Sequence, residues 1–157
     1  KNVSRQGPDM DEDLVPASTN VLIDHGSKRS NEMPAKIGIR PLDGDVFFHA
    51  MPAYVPNSKA CGIKWIECFP RNPKEFQLPQ TTGLQIMNDI ETGVPYAVMD
   101  CAWLTSMRTP AVTALTAAKF HPNAEYFGMF GCGVQGMEHV KYIPRTLKNL
   151  KKSIYMM

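Results

Sequence analysis

The residues best suited to chemistry in this chain form a glycine-rich hexapeptide, Gly131-Cys132-Gly133-Val134-Gln135-Gly136. It has GxGxxG spacing, follows an apolar stretch from Glu125 to Phe130, and opens a helix-spaced segment from Val134 to about Leu150. Strand, glycine turn and helix in that order suit a dinucleotide. Gly131 would permit the tight turn, Gly133 would let backbone approach a pyrophosphate without a Cβ in the way, and Gly136 would pack helix against strand. Amides at the helix start, at the positive end of its dipole, would receive the phosphates. The plainer reading is an ordinary glycine-rich turn, and the βαβ context favours the dinucleotide over it. The acidic residue that would hold a ribose hydroxyl, about 20 positions further on, would fall where the sequence stops. NAD and NADP therefore both stay open as cofactor.

Two cations stand in suggestive places. Lys64 lies in the apolar run Gly62 to Cys68, next to Trp65. Such a lysine either snorkels to the surface or holds an anion, and the run by itself favours snorkelling. Arg108 precedes an alanine-rich helical segment. Its planar fork could pair with carboxylate or phosphate oxygens, or it could simply cover a helix surface. His49 and His139 could titrate near neutrality. His49, in an aromatic strand, reads as a packing residue, and His139 as facing solvent or a strand, so neither is given a catalytic role. No spacing of Asp, Glu, His or Cys argues for a metal.

The elements that must position these residues begin with three short β-rich runs: Lys36 to Ile39, Val46 to Met51 and Gly62 to Cys68. They read as strands of one sheet. Val21-Leu22-Ile23 could be a further short strand in an otherwise polar stretch with an acidic knot at Asp9, Asp11, Glu12 and Asp13. Pro70 to Pro79 reads as a loop. Gly83 to Asn88 and Tyr96 to Cys101 add two strands, joined by a hairpin turn in which Gly93 supplies positive φ. Leu104, Met107, Ala111, Leu115 and Ala118 then recur at helical spacing. Pro110 lacks an amide hydrogen, so this helix should begin near Thr109 or bend there. A strand, the glycine turn, a helix bent at Pro144 and a new strand from Ser153 complete a βαβ order, which predicts an α/β fold with a parallel sheet.

The chain has 157 residues, 43% of them hydrophobic and 20% charged, with a net charge of +2. That balance offers nucleic acid no concentrated basic patch. Lys148, Lys151 and Lys152 read as the solvated end of a helix. No apolar stretch approaches the ~20 residues of a bilayer span, and no secretory signal opens the chain. Four cysteines without CxxC spacing point to reduced thiols and a cytoplasmic location. The start at Lys1 and the apolar finish at Ile154-Tyr155-Met156-Met157 suggest that the sequence stops with a strand in progress.

The residues ahead of the glycine turn narrow the reading. Met51-Pro52-Ala53-Tyr54, Gly62-Ile63-Lys64, Asp89 to Pro95 (DIETGVP), Leu104-Thr105, Arg108-Thr109 and GCGVQG occur in that order. From about Lys36 to Met157 the chain resembles the ornithine cyclodeaminase/mu-crystallin family, with its MPA, GxK, D-x-x-TG-x-P, RT-x-A and GxGxQ pattern.

The resemblance implies an N-terminal mixed-sheet substrate and dimerisation domain followed by the start of a Rossmann domain. The expected boundaries are a poorly defined segment 1–33, a substrate domain 34–121 ending in a connecting helix, and a first βαβ unit 122–157. It implies that Lys64 contacts a substrate carboxylate. Arg108 would lie between substrate and cofactor, and Gly131, Gly133, Val134, Gln135 and Gly136 would hold NAD or NADP. The family arginine upstream of MPA is replaced by Lys36, with Arg40 as a rival. Lysine keeps the charge but loses bidentate geometry, which weighs against strict ornithine specificity. The family's catalytic aspartate lies further downstream, so the fragment is expected to be inactive.

The expected chemistry is hydride transfer on an α-amino acid through an imine. Ornithine cyclodeaminase stands first, converting L-ornithine to L-proline and ammonia. An alanine dehydrogenase-like enzyme, a ketimine reductase or a siderophore-precursor dehydrogenase is the alternative. A mu-crystallin-like ligand-binding protein without catalysis, or an inactive fragment, is the rival of another class. The expected partners are a small amino-acid substrate and a second copy in a homodimer, with neither nucleic acid nor membrane.

Overall fold

A computed structural model describes residues 13–27 and 32–156. It resolves into two compact units, one holding residues 24–104 and the other the segments on either side of them. Of the acidic knot only Asp13 falls among the described residues.

The unit 24–104 is an antiparallel sheet of β1 (Ile37–Ile39), β2 (Phe47–Val55), β3 (Ala60–Cys68), β4 (Thr81–Asn88) and β5 (Pro95–Asp100), in that spatial order. Sequential strands pair because their connections are short and their β-branched and aromatic residues suit a pleated surface. The β4–β5 turn is shaped by Asp89, whose Oδ1 accepts from the Glu91 and Thr92 amides at 3.1 and 2.8 Å and from the Thr92 hydroxyl at 2.7 Å. Gly93 has φ +73°, as the hairpin chemistry predicts. The loop after β3 contains a single helical turn, α2 (Asn72–Glu75).

Register decides which side chains share a face. His49 pairs with Gly38 on one side and Ile66 on the other, while Met51 pairs with Lys64 and Lys64 with Gln85. Because side chains alternate, His49, Met51, Lys64 and Gln85 share one face. The opposite face carries Ile37, Ile39, Phe48, Trp65, Leu84 and Val98. There Phe48 stacks on Trp65, with ring centroids 5.6 Å apart, yet Ile37, Ile39, Leu84 and Val98 remain exposed. Pro52, in the middle of β2, has no amide to donate. Tyr54, two residues on, exchanges backbone hydrogen bonds with Glu32 on the β1 side. Pro52 thus turns its missing donor toward an edge beyond the end of β1, where it disrupts no ladder.

The second unit contains α3 (Ala102–Phe120) from Thr105 onward, β6 (Tyr126–Phe130), α4 (Val134–Thr146) and β7 (Lys152–Met156). Strands β6 and β7 are parallel, Tyr126 pairing with Lys152 and Phe130 with Met156. This is the βαβ crossover expected from the sequence. Its core joins Ala114, Ile143 and Leu147 to Ala117, Ala124, Phe127 and Leu150, while Met107 and Ala111 pack with Leu14, Val15 and Tyr142.

Three expectations are corrected. Val21-Leu22-Ile23 is not a strand but part of helix α1 (Val15–Gly26). Of the two alternatives for α3, a start near Thr109 or a bend there, the start is excluded: the helix begins at Ala102, where Asp100 Oδ1 accepts the Ala102 and Trp103 amides at 3.0 and 3.3 Å. Pro110 lies inside it, fully buried with Ala111. Helix α4 ends at Thr146 instead of about Leu150. Among the described residues no helix is long and apolar enough to cross a membrane, and no cluster of metal-ligating side chains occurs.

Candidate functional site

The glycine turn joins β6 to α4. Gly131 takes φ +91°, a conformation that strains an L side chain, and its amide donates to Met156 O at 2.9 Å. One end of the loop is thereby fixed to the end of β7. Gly133 is the N-cap of α4, in extended conformation. A Cβ added there would meet nothing within 4 Å, so the backbone at Gly133 faces open space. The first-turn amides of α4 have no partner within the helix. Gly136 is different: it is buried, and an added Cβ would collide with the Gly131 carbonyl oxygen. Gly136 therefore allows the helix to close on the turn, as well as on Met129 of β6, whose Cε would stand 3.5 Å away.

Val134 is 69% exposed and so stands at the helix start with its side chain accessible. Gln135 turns inward. Its Nε2 donates to Thr105 O at 3.3 Å, whereas its Oε1 is buried with no hydrogen-bond partner. An orphaned buried acceptor costs free energy unless a donor arrives. Open backbone at Gly133 and this oxygen beside the same turn both fit a phosphate-bearing ligand rich in hydroxyl donors. Arg108 is exposed on α3, one turn after Thr105.

His139 is buried, against the expectation that it faces solvent or a strand. Its Nδ1 lies 2.6 Å from Gln135 O and its Nε2 2.9 Å from Thr113 Oγ1. A carbonyl can only accept, so Nδ1 carries the proton and the imidazole links α4 to α3. That is a packing role.

In the sheet unit, Lys64 is half-buried at the middle of β3. Lys36 and Arg40 flank β1 on either side of Gly38, and both are exposed. The three cations converge on His49. Burial first, then the positive charges of Lys36, Arg40 and Lys64, holds its pKa below the ordinary 6.5. The His49 ring stacks on Phe47, with centroids 4.1 Å apart and planes 19° apart, and lies across Gly38. The structure thus groups Lys36 with Lys64, the two substrate residues expected in this unit, and adds Arg40 and His49. Alternation in Lys36-Ile37-Gly38-Ile39-Arg40 was the available signal: it sets both cations on the face of Gly38. His49 was passed over because its aromatic neighbours suggested packing alone.

Comparison with known proteins extends these observations. A family model described as the ornithine cyclodeaminase/mu-crystallin family matches residues 7–156. The nodulation efficiency protein NfeD of Rhizobium meliloti is 41% identical over 123 residues, covering 78% of this chain and 38% of that protein. An alanine dehydrogenase of Archaeoglobus fulgidus is 38% identical over 117 residues, covering 73% and 34%. Among solved structures, an archaeal alanine dehydrogenase dimer with bound NAD superimposes with a TM-score of 0.78 at 33% identity, covering 88% of this chain and 42% of that one. The chain spans well under half the length of the relatives it matches.

Proposed function

This chain belongs to the ornithine cyclodeaminase/mu-crystallin family, and from that membership we propose that it is part of an NAD(P)-dependent enzyme acting at the Cα of an α-amino acid. The observation that carries the proposal is the open backbone at Gly133, set at the start of α4 between two parallel strands. Gly131, Gly133, Val134, Gln135 and Gly136 would hold the dinucleotide, through first-turn amides and the vacant Gln135 acceptor. When bound, the nicotinamide supplies hydride exchange between an amino acid and its imine. Lys64, with Lys36, would bind and orient the α-carboxylate. Arg108 would add a bidentate anion contact at the substrate or cofactor.

Ornithine cyclodeamination is the reading the sequence placed first. That reaction must receive a second ammonium on the substrate's side chain. Lys36, Arg40 and Lys64 instead bring positive charge to His49, and like charge disfavours an ammonium there. Amino-acid dehydrogenation, or imine reduction in reverse, is therefore the better-supported reaction. Exposed Ile37, Ile39, Leu84 and Val98 on the other face of the sheet support the pairing of two copies in a homodimer.

The test is NAD(P) reduction by the full-length protein with L-alanine and L-glutamate, beside ammonia release from L-ornithine, whose cyclisation to L-proline leaves NAD(P) unchanged overall. Lys64→Ala and Arg108→Ala should each raise KM, since losing a charge-assisted contact costs about 1.5–3 kcal/mol. Cofactor binding without oxidation or cyclisation of any amino acid and without reduction of any imine would favour a non-catalytic ligand-binding protein. Unchanged kinetics in both variants would remove these residues from the site.

A further inference from the structure

We propose that His49 and Arg40 form a second anion subsite on the Lys64 face of the sheet, selecting an α-amino or α-imino acid whose side chain carries its own carboxylate. The proposal rests on the reading above for the site of the α-carboxylate and deepens it by naming the substrate class.

Charge is the first argument. One α-carboxylate is served by Lys64 and one further cation, yet Lys36, Arg40 and Lys64 all act on His49. The carboxylates within the described strands, Glu67 and Asp100, have the opposite parity. Glu67 pairs with Phe48 and Thr82, and Asp100 with Leu84, all on the other face. Glu67 is also engaged there, its Oε1 accepting from the Thr82 hydroxyl at 2.6 Å. A substrate ammonium extended along this face would meet like charges, whereas a second carboxylate would meet opposite ones.

Position is the second argument. The His49 ring is braced on Phe47 and laid over Gly38, where an added Cβ would stand 2.7 Å from Cδ2 and 3.1 Å from Nε2. Glycine is what allows the imidazole to cross β1 at that point, between Lys36 and Arg40 in the sequence. An imidazole held this way offers a ring N–H to a carboxylate oxygen, and becomes a cation as the anion draws a proton to it. Arg40 adds a planar fork suited to carboxylate. Neither side chain is spent on the core: His49 is half-buried and Arg40 exposed.

The test uses full-length protein with L-glutamate, L-aspartate, L-alanine and L-ornithine as probes. Turnover with NAD(P) is measured beside calorimetric binding in the presence of reduced cofactor. The expected order places a dicarboxylic amino acid above both L-alanine and L-ornithine in kcat/KM, by at least about tenfold over L-ornithine. His49→Glu and Arg40→Glu should each shift the glutamate-to-ornithine ratio by at least about tenfold toward ornithine. Another substrate order in the parent, or an unchanged ratio in both variants, overturns the subsite and leaves the hydride reading standing. If no probe is turned over but L-glutamate binds and the Glu variants abolish that binding, the subsite holds and the hydride reading fails. Absence of L-glutamate binding overturns the subsite. Should His49→Glu fail to fold, Arg40→Glu, an exposed position, carries the comparison.

Discussion

At the scale of single residues, the glycine turn separates two effects that spacing alone merges. Gly133 has open space where a side chain would go, and Gly136 has the Gly131 carbonyl oxygen there. In the full-length protein, Gly133→Val should abolish NAD(P) binding and leave apo unfolding nearly unchanged. Gly136→Val should lower apo stability, by about 1–3 kcal/mol for overpacking of this kind. Cofactor titration and thermal unfolding of both apo variants check this, and tight binding by Gly133→Val would reduce the loop to a plain turn. His49 supports a prediction about pH. With its folded pKa held below 6.5 by burial and by Lys36, Arg40 and Lys64, the unfolded chain takes up the proton first as pH falls. Its contribution to stability is therefore complete above the ordinary value and is lost as pH drops below it. Melting temperatures across about pH 5 to 8 should show a slope in that window that His49→Gln flattens. An equal slope in the variant would assign the effect elsewhere. Spacing was enough to single out Gly133, because the open backbone there depends on its neighbours in sequence. His49 was read as a packing residue because the cations that act on it come from the ends of β1 and from β3, which only register brings beside it.

Among the elements, helix α3 shows best what a sequence withholds. Pro110 argued for a start near Thr109 or a bend there, since an interior proline loses a hydrogen bond and crowds the preceding turn at a cost of about 3 kcal/mol. One tertiary and one local fact outweigh that: Pro110 is fully buried, and Asp100 caps the helix at Ala102 and Trp103, well before Pro110. Asp100→Ala should then cost about 1 kcal/mol, the usual loss on removing a cap. Chemical denaturation of the full-length protein measures it, and a change indistinguishable from zero would mean that water serves those amides equally well. The Val21-Leu22-Ile23 triplet misled for a related reason. A short apolar run does not distinguish strand from helix, and it lies within a twelve-residue helix whose other residues are mostly polar. The five sheet strands and the βαβ unit were legible because alternation, turn residues and helical spacing all agreed there.

At the scale of the molecule, the described surface carries many large apolar side chains. Ile37, Ile39, Leu84 and Val98 crowd one sheet face, and Tyr126, Phe130, Ile154 and Tyr155 stand out on β6 and β7. A two-stranded parallel sheet is marginal by itself. Produced alone, the 157-residue chain should self-associate and bind a hydrophobic dye, whereas the full-length protein should form a discrete homodimer. Light scattering of both checks this, and a sharp cooperative melt from a monomeric 157-residue chain would contradict it. The sheet's plain up-and-down order has a further consequence, in time instead of space. Each of its strands pairs with the next in sequence, so loops between paired residues are short and their closure entropy is low. The parallel partners β6 and β7 must wait until an entire helix has been laid between them. During synthesis the antiparallel strands also leave the ribosome first. Amide protection in pulse-labelling experiments should therefore appear in β2 to β4 before it appears at Phe127 or Tyr155, giving the cations of the sheet face their scaffold before the glycine turn exists.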